Sequence, residues 1–197
     1  MRALSIGEIL WDLLPDGKHL GGAPFNFGVN LRRCGHQVLF ATAVGDDPLG
    51  REAREKMRAT GIDMRLVETT GRYPTGTVDV AIDAAGEPRY RIHRPAAYDD
   101  WICDGKAAEV LAGFEPRWIY FGTLLAHSAE GRRAVEAVLD ACPHASRFGE
   151  RGRIERQAEG RTQSEEPLEK PPPSRAVSLR PLLAYAKAQL AQSAAGG

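Results

Sequence analysis

Apolar and polar positions along this chain follow two periods in alternating blocks. Ala3 to Leu10 is a nearly unbroken apolar run and predicts a first strand buried on both faces, with Asp12 just past its C-terminal end. Phe27, Leu31 and Cys34 then recur at helical spacing, with Pro24 suited to the first helical position and Gly35 as the stop. Val38 to Val44 is β-branched and apolar and reads as a buried strand. Asp47 and Pro48 open the next helix as N-cap and first residue, Leu49, Ala53 and Met57 form its inner stripe, and Gly61 ends it. From Gly76 to Ile82, Thr77, Asp79 and Ala81 alternate with Val78, Val80 and Ile82, the signature of a half-buried strand. A turn leads into a second strand, Pro88 to His93. Trp118 to Thr123 predicts a further buried strand. Ser128 is the N-cap of a helix whose Val135, Val138, Leu139 and Cys142 line one face, and Pro143 closes it. Strands alternating with helices imply a largely parallel sheet with right-handed crossovers.

The pattern stops after Phe148. From Gly149 to Arg175 the only sizeable apolar residues are Ile154 and Leu168, so residues 149–175 are expected to be disordered, with Pro171 to Pro173 as an extended spacer. Residues 176–197 regain helical composition through Leu179, Leu182, Leu183 and Leu190, interrupted by Pro181 and followed by a small-residue tail.

Composition narrows the functional classes. Twenty-six basic and 26 acidic side chains cancel, so no net positive field is available for nucleic acid or an anionic membrane. The longest apolar stretch, around Trp118 to Ala126, is far too short to span a bilayer. No basic-then-apolar leader precedes the first strand, and three widely spaced cysteines argue for reduced thiols. The expected compartment is the cytoplasm.

Candidate chemistry concentrates between Gly21 and Gly45. Gly21 and Gly22 allow a ligand to approach the backbone, the following helix start offers unpaired N–H groups, and Asn26 can donate and accept. This suits a polyhydroxylated ligand; a tight turn is the simpler alternative. Asp12 is placed to accept hydrogen bonds from hydroxyls at the carboxyl end of a strand, or is a solvated turn residue. Five histidines show no metal-ligand spacing, and neither a Gly-x-Ser-x-Gly elbow nor a Walker sequence occurs. His127 beside Ser128 reads as a solvent histidine next to a helix cap, and Asp99-Asp100 as a helix start.

Gly21-Gly22-Ala23-Pro24-x-Asn26, a helix, Gly35 and then Gly45 resemble the N-terminal signature of the PfkB/ribokinase family of carbohydrate kinases. Gly7-Glu8-Ile9-Leu10-Trp11-Asp12 resembles its first strand and sugar-binding aspartate. Val44 to Gly50 and Gly61-Ile62-Asp63 resemble the segments that follow. Tyr90 to Asp99 and Tyr120 to Leu124 resemble the fructokinase branch. Gly28 departs from the family's usual Ala, Ser or Thr. The resemblance implies an α/β ribokinase-like three-layer sandwich with a mostly parallel sheet and a small β lid (residues 76–94), present over residues 1–148 as an N-terminal half. It implies sugar binding by Asp12, Gly21, Gly22 and Asn26, with Arg94 and Ala97 at the sugar's edge, and a homodimer formed through the lid. The implied reaction is transfer of the γ-phosphoryl group of ATP, with Mg²⁺, to fructose or a related sugar. The family's catalytic base lies in a Gly-Ala-Gly-Asp motif, and no Gly-x-Gly-Asp occurs in this chain. The alternative is an inactive truncated or frameshifted remnant that at most binds sugar or dimerises. A dinucleotide-binding half-domain is disfavoured, because no Gly-x-Gly-x-x-Gly follows the first strand.

Overall fold

The computed structural model describes residues 1–82 and 88–149. The expected disorder after Gly149 and the helix of residues 176–197 lie outside the described residues. In chain order the elements are β1 (Arg2–Ile6), β2 (Leu10–Leu14), β3 (Gly17–Gly21), α1 (Ala23–Arg33), β4 (Gln37–Gly45), α2 (Pro48–Thr60), β5 (Asp63–Thr70), β6 (Gly76–Ile82), β7 (Pro88–Ile92), α3 (Gly105–Phe114), β8 (Trp118–Phe121), α4 (Ala129–Ala141) and β9 (Ser146–Gly149). Short 3-10 turns occupy Ala97–Asp100 and Leu125–His127.

Five strands form one sheet in the order β5-β4-β1-β8-β9, with every neighbouring pair parallel. Alternate residues of each strand point to opposite faces. On one face Ala3, Phe40 and Val44 pack against Phe25 and Leu31 of α1 and Ala53 and Met57 of α2. On the other, Leu4, Ile6 and Leu39 pack against Leu111 and Phe114 of α3 and Val135 and Val138 of α4. Burial on both faces is why β1 and β4 are apolar without alternation. The result is three layers, helix–sheet–helix, as the family resemblance implies.

The helix ends follow the sequence signals. The Asp47 carboxylate accepts from the Gly50 amide at 2.7 Å, and Gly61 ends α2 in the left-handed region at φ 72°. Ser128 caps α4 by accepting from the Gly131 amide at 2.9 Å. The helix start expected at Asp99-Asp100 is a 3-10 turn; α3 begins later, where Asp104 accepts from the Ala107 amide. Gly149 stands in β9, paired with Phe121, so strand geometry extends one residue past the predicted boundary.

The first strand differs from expectation. Ala3 to Leu10 is not one strand. Gly7 adopts φ 144°, closed to ordinary side chains, and the chain leaves the main sheet there. It re-enters as β2 in a second, four-stranded sheet of order β3-β2-β6-β7. β2 pairs antiparallel with β3 and parallel with β6, and β6 pairs antiparallel with β7. The predicted hairpin of β6 and β7 is half of this sheet. Trp11 joins the two sheets: it is fully buried in the α1/α2 layer and its indole N–H donates to the Leu49 carbonyl at 3.1 Å.

Candidate functional site

The carboxyl ends of β1 and β8 and the start of α1 meet on glycine. Gly122 N–H donates to the Ile6 carbonyl at 2.9 Å, and Gly7 N–H to the Ala41 carbonyl at 3.1 Å. A Cβ on Gly7 would come within 2.6 Å of Pro24 Cγ. Gly22, the N-cap of α1, has φ 109°, and a Cβ there would come within 2.5 Å of the Glu8 carbonyl oxygen. Backbone therefore approaches backbone here as only glycine permits. Ser5 Oγ donates to the Pro24 carbonyl at 2.7 Å and fixes the first turn of α1 on β1. Glu8 is a buried carboxylate at the turn between β1 and β2, lying against Gly122.

Asp12 sits in the middle of β2, opposite His19 of β3, and not at the end of β1 as expected. The β2–β3 hairpin returns the chain so that Gly21 lies opposite Leu10. A Cβ on Gly21 would stand 2.6 Å from Asp12 Oδ2, so the carboxylate rests directly over this glycine. Gly22 follows as the cap, and Asn26 lies on the first turn of α1, exposed, its backbone N–H donating to the Gly22 carbonyl at 2.9 Å. The hairpin thus brings Asp12, Gly21, Gly22 and Asn26 into one neighbourhood. Burial pushes the Asp12 carboxyl above the ordinary carboxylate range, and the facing His19 offsets part of that push.

Arg94 and Ala97 are arranged otherwise. The Arg94 guanidinium pairs with the Asp99 carboxylate, its Nε donating to Oδ2 at 3.2 Å, and stands 5.8 Å over the Tyr98 ring. Its charge is therefore already matched. Ala97 is fully buried, and its amide donates to the Pro74 carbonyl at 2.7 Å. Both belong to a braced corner below the second sheet. Tyr98 completes that corner: its ring packs so closely on Gly76 that a Cβ there would approach within 2.7 Å. Burial, with Asp99 beside it, holds the Tyr98 phenol well above its usual range.

A second knot ties the site to its scaffold. Asp47 accepts from Gly50 N at 2.7 Å, from Thr75 Oγ at 2.8 Å and, through its other oxygen, from Thr75 N at 2.8 Å. Gly45 N in turn donates to Thr75 Oγ at 2.9 Å. This joins the end of β4 and the start of α2 to the segment entering β6. Thr75 was not singled out in the sequence, and Glu8 and Tyr98 entered it only within longer segments of the family resemblance; each crowds a glycine in the fold. Among the described residues, no group of three or more His, Cys, Asp or Glu side chains converges to hold a metal ion, and no helix is long and apolar enough to cross a membrane.

Residues 16–146 match the model of the pfkB family carbohydrate kinases. A fructokinase of Klebsiella pneumoniae is 30% identical over 149 residues, which are 73% of this chain and 47% of that protein. An aminoimidazole riboside kinase of Salmonella typhimurium is 29% identical over 143 residues, 68% of this chain and 42% of that protein. The chain thus spans about half the length of the curated relatives it matches. Among solved structures, a sugar kinase of Pyrococcus horikoshii in complex with ATP superposes with a TM-score of 0.62 at 26% identity, over 71% of this chain and 49% of that one. A fructokinase of Xylella fastidiosa with bound ATP gives a TM-score of 0.66 at 21% identity, over 75% and 47%. The three-layer arrangement is the ribokinase-like fold.

Proposed function

The chain belongs to the pfkB carbohydrate kinase family, and on that premise we propose that it supplies the sugar-binding half of a kinase that phosphorylates a hydroxyl of fructose or a related sugar. The observation that carries this reading is the convergence of Asp12, Gly21, Gly22 and Asn26 on the β2–β3 hairpin and the first turn of α1. The carboxylate accepts from neighbouring sugar hydroxyls, and the hydrogen bonds it receives are the strong, charge-assisted kind. Gly21 leaves the space above Asp12 Oδ2 free of a side chain. Gly22 and the α1 start present backbone N–H groups, and Asn26 offers both a donor and an acceptor. The second sheet, which carries Asp12, acts as the cover that excludes water from the bound sugar.

ATP, with Mg²⁺, is the donor proposed, supported by the ATP-bound sugar kinases that share the fold. When bound it supplies the phosphoryl group. The described residues build no metal site, and the chain contains no Gly-x-Gly-Asp to provide the family's base. The role assigned to these residues is therefore to bind and orient the sugar, in a cytoplasmic protein. Tyr90 and Ile92, exposed on the second sheet, favour a homodimer through that sheet as an accompanying proposal; sedimentation of wild type against a Tyr90→Lys/Ile92→Lys double variant tests it. Calorimetric titration of the 197-residue chain with D-fructose tests the site itself. Asp12→Ala is expected to weaken binding by about 2–3 kcal/mol, the cost of losing hydrogen bonds to a charged group; an unchanged titration places the sugar elsewhere.

A further inference from the structure

The register of the β2–β3 hairpin sets a second polar group beside Asp12. Residues directly opposite in an antiparallel pair share a face of the sheet, with Cβ atoms about 4.5–5.5 Å apart. Asp12 has two cross-strand neighbours, His19 in β3 and Val78 in β6. Val78 is buried and brings no polar atom. His19 brings an imidazole, exposed on its strand. Gly21, two residues on, shares the His19 face of β3. Gly21 is not among the glycines at positive φ; what it supplies is room for the Asp12 carboxylate, whose Oδ2 lies 2.6 Å from where a Cβ would stand. His19 is the next side chain along that face, on the side of the hairpin turn. Lys18 is opposite Leu13, so it lies on the other face, where it pairs with Glu52 at 2.5 Å. No hydrogen bond among the described residues engages the His19 ring.

Resting on the sugar-site reading above, we propose that His19 is a further sugar-binding residue, which hydrogen-bonds a second hydroxyl of the sugar that Asp12 holds. An ionised carboxylate only accepts, whereas a neutral imidazole carries one donor and one acceptor. Asp12 therefore receives hydroxyl hydrogens, and His19 serves a hydroxyl through its hydrogen or its oxygen. Two such groups a few ångströms apart on one face suit hydroxyls on neighbouring carbons of one ring. Gly21 keeps the space beside both free of a third side chain.

The test is calorimetric titration of the full 197-residue chain with D-fructose at pH 8, above the range in which imidazoles ordinarily titrate. Wild type is compared with His19→Phe, His19→Gln and Asp12→Ala. His19→Phe keeps a flat ring and removes both hydrogen-bonding nitrogens. It is expected to weaken binding by about three- to tenfold, the worth of one neutral hydrogen bond. His19→Gln restores a donor and an acceptor and is expected to recover most of that loss, which a purely structural role for the ring would not produce. Unchanged affinity in His19→Phe, or a loss that His19→Gln does not recover, overturns the role of His19; if Asp12→Ala still weakens binding, the sugar site itself stands. Absence of fructose binding by wild type, or an Asp12→Ala titration that matches it, overturns the sugar site and this inference with it.

Discussion

Gly28 lies in the interior of α1, where glycine costs about 1 kcal/mol relative to alanine. A Cβ there would meet Val38 Cγ1 at 3.4 Å, Ser5 Cβ at 3.5 Å and Ile62 Cδ1 at 3.6 Å, which is ordinary contact. Gly28→Ala should therefore raise unfolding stability by roughly 0.5–1 kcal/mol in a urea titration; a loss of stability would show that the α1–sheet contact is tighter than these distances. Gly22 answers oppositely. Its φ of 109° and the Glu8 carbonyl 2.5 Å from any Cβ mean that Gly22→Ala should cost about 2 kcal/mol or more. That loss and the Gly28 gain, read by the same titration, separate a conformational need for glycine from an incidental one. At this scale the sequence was legible where a residue's role is local. Pro24, Asp47, Gly61 and Ser128 act through neighbours within a few residues, so their spacing alone revealed them. Tyr98 against Gly76 and Glu8 against Gly122 are contacts between distant segments, and no local pattern encodes them.

Elements fail to be legible when two geometries produce one pattern. Ala3 to Leu10 is nearly unbroken in apolar character because β1 is covered on both faces and because Ile9 and Leu10 are buried beyond the turn. Gly7, through its positive φ, and the charged Glu8 beside it mark the break. Missing that break displaced Asp12 from mid-β2 to the end of β1, although its place beside Gly21 and Gly22 is what the site requires. The Asp47–Thr75 knot is the element-scale support of that site, since it anchors the strand that pairs with β2. Burial raises the Asp47 carboxyl, but hydrogen bonds from the Thr75 amide and hydroxyl and from the Gly50 and Leu49 amides outweigh it and hold the group below its ordinary 3.8. A carboxyl depressed by folding stabilises fully above that ordinary value and loses its contribution as pH falls through the lower folded value. Asp47→Asn should thus cost about 1–3 kcal/mol at pH 7, and the gap to wild type should shrink by pH 3. A gap that stays constant between the two pH values would mean the ionised form is not what the knot holds.

On the scale of the whole molecule, the alternation of strands and helices was legible because it rests on repeated periodicity, whereas the three layers followed from the family resemblance, and β5 and α3 carried no periodicity that revealed them. The second sheet was legible only in its β6–β7 half, whose alternation is clean, whereas β3 is short and mostly exposed. Asp12, Gly21, Gly22 and Asn26, proposed to face the sugar, lie where β2, β3 and the start of α1 meet, so the half that escaped the sequence is the half that presents Asp12. This junction is proposed to receive a sugar. The most direct measurement is the amide resonance map of the isotopically labelled chain during titration with D-fructose. Shifts that saturate together at Asp12, Gly21, Gly22 and Asn26, and that vanish in Asp12→Ala while the rest of the map is unchanged, are the predicted result. Shifts confined to other surfaces, or an Asp12→Ala map that responds as wild type does, would contradict it.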